Sequence, residues 1–204
     1  MAGKKGPMKC SSQPLQGRLI LEAIAVLKQG GVVVFPTETA YGLAADATNE
    51  KAVARIFEIK GRNEEKSLPL IAASREMVER FAGIPRGLEK LASQYWPGPL
   101  TLVLPAIGGL ASGVVRDGTV AIRVSSHPVA RALSEGLDAP IVSTSANLGG
   151  QPACYTVEDV RAQLGDTPDI YLDGGVLEPQ LPSTIVGVDD YGYPEVLRQG
   201  EVLI

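Results

Sequence analysis

Residues 36–43, with the sequence PTETAYGL, place two hydroxyls and one carboxylate directly after an apolar stretch. The side chains of Thr37, Glu38 and Thr39 could bind a polar substrate or a metal ion, because α/β folds place ligands at the ends of strands. Threonines are also common in turns, where their hydroxyls bond to nearby backbone groups. Both interpretations stay open for this segment taken alone.

A cationic triplet, Lys60, Gly61 and Arg62, is followed by Lys66. If the chain is extended here, the side chains at 60 and 62 point to the same side and converge on one anion. A polyphosphate suits this pair, because lysine brings a point charge and arginine a planar fork, and Gly61 permits close backbone approach. The alternative is a solvated helix end, where cations suit the helix dipole.

Residues 143–147, with the sequence STSAN, follow another apolar stretch and precede two glycines. Ser143 joins Ser145 and Asn147 in this segment, and the last two share one side of an extended chain. The segment predicts a loop that binds a ligand through several hydrogen bonds, and a plain polar turn is the alternative. A serine hydrolase is disfavoured, because the chain has neither a G-x-S-x-G elbow nor a downstream histidine.

Single residues elsewhere add to these segments. Arg123 has apolar neighbours in a predicted strand, and a buried charge there must be paired or must bind an anion. Ser183 opens a late strand, and Arg198 follows an apolar pair from which it could point into the same cleft. A surface ion pair is the alternative for Arg198. The only histidine, His127, precedes Pro128 and is expected to be a helix cap or a surface residue.

The secondary structure that must position these residues alternates between helices and strands, as apolar spacing, caps and glycines indicate. The predicted helices cover about 19–27, 49–61, 74–81, 86–95, 128–133 and 156–164. The predicted strands cover 32–35, 68–72, 100–104, 119–124, 140–142, 170–172, 184–188 and 195–197. This order predicts an α/β (α+β) fold with a twisted, mixed β-sheet flanked by helices. We expect a single domain over residues 17–204, preceded by a flexible tail at 1–16.

Composition argues against several classes of protein. A hydrophobic fraction of 45% and a net charge of −4 argue against disorder and against a basic nucleic-acid binder, although cations cluster between residues 55 and 131. Cys10 and Cys154 match no metal spacing, and a single histidine nearly excludes a zinc site. No apolar run approaches the roughly 20 residues of a membrane span. We expect a cytoplasmic protein with no membrane partner.

The ordered set of motifs resembles one family. The YrdC/TsaC family of threonylcarbamoyl-AMP synthases has similar motifs in the same order, matching residues 36–43, 60–62, 96–101, 121–124 and 143–147. The resemblance implies the short form of that family, with a concave basic cleft. It also implies that L-threonine, bicarbonate or CO2, and ATP are joined to L-threonylcarbamoyl-AMP with release of pyrophosphate. This product would supply t6A at position 37 of tRNAs that read ANN codons.

The resemblance further implies a role for each candidate residue. Lys60 and Arg62 would be catalytic, by stabilising charge as pyrophosphate leaves. The ATP-binding residues would be Lys60, Arg62, Lys66, Ser145, Asn147 and Arg198. The threonine-binding residues would be Thr37, Thr39, Arg123, Ser143 and Ser183. Mg²⁺ would be held through the ATP phosphates rather than by a ligand cluster, and the downstream partner would be a threonylcarbamoyl transferase complex.

Two other functions compete with the synthase. A non-catalytic module could bind double-stranded RNA or tRNA in the basic cleft, with strong salt dependence and no ATP turnover. A phosphosugar enzyme on a similar sheet would need an acidic metal cluster, for which Glu38 and Asp46 alone are too few.

Overall fold

The computed structural model describes residues 13–61 and 68–204. Two of the candidate site residues, Arg62 and Lys66, lie outside these ranges, as does most of the predicted tail. The first helix begins at Gln13, inside the segment that was expected to be a tail. Helix-favouring residues such as Leu15 and Gln16 precede the apolar positions, so the helix extends further back than the apolar spacing indicates.

The helices agree with their predicted caps. The side chain of Asn49 accepts hydrogen bonds from two backbone N–H groups at the start of its helix. The side chains of Ser74 and Thr156 each accept one hydrogen bond, from the backbone N–H of the residue three positions later. The side chain of His127 accepts one from Val129 N. Gly61 ends the second helix in a left-handed conformation with φ 56°. The helices in the described ranges are α1 (Gln13–Lys28), α2 (Glu50–Lys60), α3 (Arg75–Phe81), α4 (Glu89–Tyr95), α5 (Pro128–Leu137) and α6 (Val157–Leu164). Short 3-10 turns lie at Arg86–Leu88 and Ser112–Val114.

The strands form two mixed sheets rather than the one that was predicted. They are β1 (Val33–Pro36), β2 (Tyr41–Ala44), β3 (Leu70–Ala72), β4 (Leu100–Pro105), β5 (Thr119–Val124), β6 (Ile141–Val142), β7 (Thr144–Ser145), β8 (Ile170–Tyr171), β9 (Thr184–Val188) and β10 (Pro194–Arg198). The small sheet has the order β7-β2-β1-β8, and the large sheet has the order β10-β9-β4-β5-β3-β6. Strand pairs β1/β8, β3/β5 and β4/β9 are parallel, and the other pairs are antiparallel.

The first polar segment is a β-hairpin, not an open loop. Pro36 pairs with Tyr41, and Thr37 N donates to Ala40 O across the turn at 3.2 Å. Strand β2 escaped prediction because its apolar residues lie within the motif and are interrupted by Gly42. A Cβ at Gly42 would lie 3.0 Å from the ring of Phe35, so any larger residue would require that ring to shift.

Two apolar clusters lie on opposite faces of the inner strands. In β1, Val33 and Phe35 pack with α1 and α5, whereas Val34 packs into the larger cluster. In β3, Ile71 packs into the cluster with α1 and α5, and Leu70 packs into the larger cluster. These strands are buried on both faces, as the continuous apolar run at 32–35 predicts. The polar segments that end the strands therefore meet between the two sheets.

Candidate functional site

A cavity of about 550 Å³ opens between the two sheets. It brings together seven of the predicted site residues: Thr37, Thr39, Arg123, Ser143, Ser145, Ser183 and Arg198. These residues come from the β1–β2 turn, from β5, from the β6–β7 segment and from the β9–β10 hairpin with the residue before it. The sequence motifs, far apart along the chain, thus share one site.

The β1–β2 turn forms one wall and is fixed by the hydroxyl of Thr37. Thr37 Oγ1 donates to Ala40 O at 2.6 Å and accepts from the backbone N–H groups of Thr39 and Ala40, each at 3.2 Å. The hydroxyls of Thr37 and Thr39 lie 3.1 Å apart. The turn interpretation is therefore correct for Thr37, and both threonines also line the cavity.

Arg123 lies on β5 at the floor of the cavity and is paired with an acidic residue. Its Nη1 donates to Glu38 Oε1, and Glu38 Oε2 accepts from Ser125 Oγ at 2.7 Å. The side chains of Arg123 and Glu38 are only 8% and 16% exposed. Burial lowers the pKa of the Arg123 guanidinium, and the neighbouring carboxylate of Glu38 opposes that shift. Sequence reasoning predicted that Arg123 is paired or anion-bound but did not identify Glu38 as its partner.

The opposite wall is built by Arg198 and Ser183. Arg198 Nη2 donates to Ser183 O at 2.6 Å and contacts Ser183 Oγ at 3.2 Å. Ser183 Oγ also lies 2.8 Å from Thr101 Oγ1 on β4. Burial lowers the pKa of the Arg198 guanidinium. Arg198 points back into the cleft, as its position after an apolar pair suggested, and it does so from an edge strand.

Lys60 lies at a helix end, one of its two interpretations, but it is buried rather than solvated. It is the last residue of α2, and only 3% of the residue is exposed. Its Nζ donates to Ser145 O at 2.5 Å and to Asn147 O at 2.9 Å. Lys60 is at a helix end, but a buried one, and it holds the 143–147 segment instead of lining the cavity. The predicted convergence of Lys60 with Arg62 and Lys66 on one anion stays a prediction, because Arg62 and Lys66 lie outside the described ranges.

Asn147 lies behind the cavity wall and has one unmatched atom. Its Nδ2 donates to Leu148 O at 2.8 Å and to Gln151 O at 2.6 Å, which fixes the orientation of the amide. Its Oδ1 is buried and has no hydrogen-bond partner within the described part of the chain. An amide oxygen can accept a hydrogen bond or bind Mg²⁺. The residue therefore fits a ligand that donates a hydrogen bond or carries a cation.

Arg116 is a cavity residue that sequence reasoning missed. It precedes a tight turn in which Asp117 and Gly118 have positive φ angles of 47° and 73°. Arg116 and Thr119 exchange backbone hydrogen bonds at 2.8 and 2.7 Å, which fix the start of the side chain. The Asp-Gly pair is a recognisable hairpin signal and could have indicated this turn. With Arg123 and Arg198, Arg116 makes the cleft basic, as the resemblance implied.

Within residues 13–61 and 68–204, no helix has both the length and the apolar character needed to cross a membrane. In the same part of the chain, no three His, Cys, Asp or Glu side chains gather as a metal site. Of the carboxylates considered for a metal, Glu38 is paired with Arg123, and Asp46 accepts hydrogen bonds from Thr48.

Comparison with known proteins agrees with the fold and the motifs. The Sua5/YciO/YrdC family model, described as "Telomere recombination", matches residues 25–200. A threonylcarbamoyl-AMP synthase of Vibrio vulnificus is 41% identical over 184 residues, which are 88% of this chain and 97% of that protein.

Two solved structures are similar over most of this chain. The crystal structure of Pyrococcus abyssi Sua5 complexed with L-threonine matches with a TM-score of 0.84 and 37% identity over 91% of this chain, which spans about half (54%) of that protein. The crystal structure of Escherichia coli YciO matches with a TM-score of 0.79 and 28% identity, over 90% of this chain and 89% of that one. The predicted fold is confirmed.

Proposed function

Because the chain belongs to the Sua5/YciO/YrdC family, we propose that it forms L-threonylcarbamoyl-AMP and pyrophosphate from L-threonine, bicarbonate or CO2, and ATP. The name of the Vibrio vulnificus relative and the threonine complex of Pyrococcus abyssi Sua5 support this proposal. The reaction makes it a nucleotidyltransferase. Its product would serve t6A synthesis in the cytoplasm through a threonylcarbamoyl transferase complex.

One observation carries the proposal: the cavity combines three arginines with a ring of hydroxyl groups and has room for a substrate of several parts. Specific small-molecule sites have this character, with a few well-placed polar groups in a concave surface. Arginines fit carboxylates and phosphates, because their planar donors bind two oxygens at once. An amino acid and a nucleotide together offer both kinds of anion.

Threonine would bind against the β1–β2 turn and β5. Arg123 would take its carboxylate, because the one described hydrogen bond of this guanidinium uses Nη1 and arginine has five N–H donors. Thr39, Ser143 and Ser183 offer hydroxyls for its amine and side chain. Thr37 acts chiefly by fixing the turn, since its hydroxyl already binds Ala40 O.

ATP would bind along the side of the cavity formed by Ser145 and Arg198, with Asn147 behind that wall. Lys60 sets the position of this segment through the carbonyl oxygens of Ser145 and Asn147. Arg62 and Lys66 follow it in the sequence and would contact the phosphates. Asn147 Oδ1 would be a ligand for the Mg²⁺ that ATP carries. When bound, Mg²⁺ would neutralise part of the phosphate charge.

The chemistry needs no protein nucleophile. The threonine amine attacks the carbon of CO2, a C–N bond forms, and loss of a proton leaves a carbamate. A carbamate oxygen then attacks the α-phosphorus, and the bond to the departing pyrophosphate breaks. The protein acts by holding two anions in line and by stabilising the charge on the leaving group. Exclusion of water protects the labile carbamate.

Pyrophosphate release by the purified protein tests this function. The reaction contains ATP, Mg²⁺, L-threonine and bicarbonate, with each co-substrate omitted in turn and with L-serine as a control. Release that requires both co-substrates, with threonine preferred, is the expected result. A folded protein that binds ATP but releases no pyrophosphate would contradict it, and salt-dependent RNA binding would then favour the RNA-binding module.

A further inference from the structure

The proposed threonine subsite takes its residues from both sheets. Thr37 and Thr39 belong to the β1–β2 turn of the small sheet, whereas Arg123 belongs to β5 of the large sheet. Binding one small substrate from both sides requires a fixed distance between the turn and the strand. A misplacement of about 1 Å can lower a rate by two orders of magnitude.

Glu38 connects the two sides. It lies between the two cavity-lining threonines, and its carboxylate accepts from Arg123 Nη1 with one oxygen and from Ser125 Oγ with the other. Arg123 on β5 and Ser125, the residue after the strand, are both buried, at 6% and 0% exposure. Because one carboxylate oxygen is held by β5 and the other by the residue that follows it, the two contacts fix the turn as well as the guanidinium.

Ser125 in turn sets the position of Glu38. Its Oγ donates to Glu38 Oε2 at 2.7 Å and accepts from His127 N at 3.1 Å, just before α5. The hydroxyl therefore has a defined direction, anchored by the N-cap residue of a helix. The chain of contacts runs from the helix start through Ser125 and Glu38 to the guanidinium of Arg123.

We propose that Glu38 is a positioning residue for threonine, acting through Arg123 and the β1–β2 turn. This inference rests on the proposed function. Glu38 does not line the cavity itself, so its effect on substrate passes through the side chains that do. It keeps the Arg123 fork turned toward the cavity and holds Thr39 opposite, without contacting ATP.

Steady-state kinetics of Glu38→Ala, Glu38→Gln and Ser125→Ala test the inference. Loss of the carboxylate should raise the KM for threonine about tenfold or more, the range for a hydrogen bond to a charged group. The KM for ATP should stay within twofold. Glu38→Gln keeps an acceptor for Arg123 and should restore part of the loss, and Ser125→Ala should give a smaller increase of the same kind.

A control weakens an arginine–carboxylate pair outside the cavity, although this pair is more exposed. Asp169→Asn weakens the 2.6 Å contact between Asp169, just before β8, and Arg55 on α2, and should leave both KM values unchanged. An unchanged KM for threonine in Glu38→Ala, or equal increases for threonine and ATP, would overturn the inference. If Glu38→Ala does not fold, Glu38→Gln and Ser125→Ala decide by the same criteria. Failure of the proposed function is distinct, because the unsubstituted protein would then release no pyrophosphate.

Discussion

Lys60 supports the site from inside the fold. Its Nζ donates to two backbone carbonyls of the 143–147 segment, those of Ser145 and Asn147. The lysine expected to bind phosphate thus also shapes the loop next to it. A substitution at residue 60 therefore acts on stability and on catalysis together.

Lys60→Ala should lower the free energy of unfolding by about 1–3 kcal/mol, because two buried carbonyl groups lose a charged donor. It should also lower kcat/KM, because the carbonyl groups that Lys60 holds belong to the segment next to the cavity. Arg62→Ala should lower kcat/KM by about 2–4 kcal/mol of transition-state stabilisation, the range for one electrostatic contact. Urea denaturation and initial rates measure the two effects.

Lys51 provides the control for this pair, because it lies on the same helix with its side chain exposed. Lys51→Ala should change neither quantity. An unchanged kcat/KM in Lys60→Ala would reject its role in positioning the segment, and an unchanged kcat/KM in Arg62→Ala would reject the proposed contact with phosphate.

Among the structural elements, the C-terminal segment fixes the wall that carries Ser183. The buried hydroxyl of Thr184 donates to Val202 O at 2.7 Å and accepts from Gly200 N and Val202 N, each at 3.0 Å. A Cβ on Gly200 would lie only 2.1 Å from Pro182 O, a backbone atom that cannot move without its neighbours. The close approach places the end of the chain against the residue before β9.

Gly200→Ala should destabilise the protein by about 1–3 kcal/mol, the usual range for overpacking. It should also raise the KM for threonine, because the backbone at Ser183 must shift. Gly83→Ala is the matched control, since a Cβ there meets no atom within 4 Å. Equal melting temperatures for the two variants would contradict this account of the segment.

Across the whole molecule, residues 172–183 connect the small sheet to the large one without a helix or a strand. Tyr41 fixes the start of this connection, since its hydroxyl donates to Gly175 O at 2.7 Å and accepts from Gly174 N at 2.9 Å. Burial, the largest cause, raises the pKa of Tyr41 to about 12. The connection between the sheets therefore depends on the protonated hydroxyl.

Tyr41→Phe should lower the free energy of unfolding by about 1 kcal/mol for each lost hydrogen bond at pH 8. Because the pKa of Tyr41 is raised in the folded state, its neutral hydroxyl makes its full contribution to the free energy of unfolding below the unfolded pKa of about 10. That contribution is lost as the pH rises through the folded value of about 12. The difference in stability between the two proteins should therefore shrink above pH 10. A difference that stays constant from pH 8 to 12 would disprove the link.

Sequence reasoning predicted the elements that carry their own local signals. The caps at Asn49, Ser74 and Thr156 are confirmed, and the strands at 119–124 and 184–188 have the predicted bounds. Strand β2 lies inside a polar motif and contains Gly42, and β7 lies inside the hydroxyl-rich segment, so neither has an apolar strand pattern; both are defined by pairing with β1 or with each other. The division into two sheets likewise follows from pairing between distant segments.

The candidate site was predictable as a set of residues but not as a network. Hydroxyl-rich segments and a buried arginine indicated most of the cavity lining. The contact of Arg123 with Glu38 joins residues 85 positions apart, and no local pattern encodes it. The helix end at Lys60 was one of the two open interpretations, but its burial was not predicted, because the carbonyl oxygens that accept from its amine lie more than 80 residues further along the chain.

The buried oxygen of Asn147 has a consequence for affinity. Its amide cannot rotate to satisfy the oxygen, because both hydrogens of Nδ2 already bind backbone carbonyls. No donor from residues 13–61 or 68–204 reaches this oxygen, and a buried acceptor without a donor costs about 1–3 kcal/mol. A ligand that reaches this atom with a donor or a cation recovers that energy. Part of the binding strength at this position is thus stored in the folded chain before any ligand arrives.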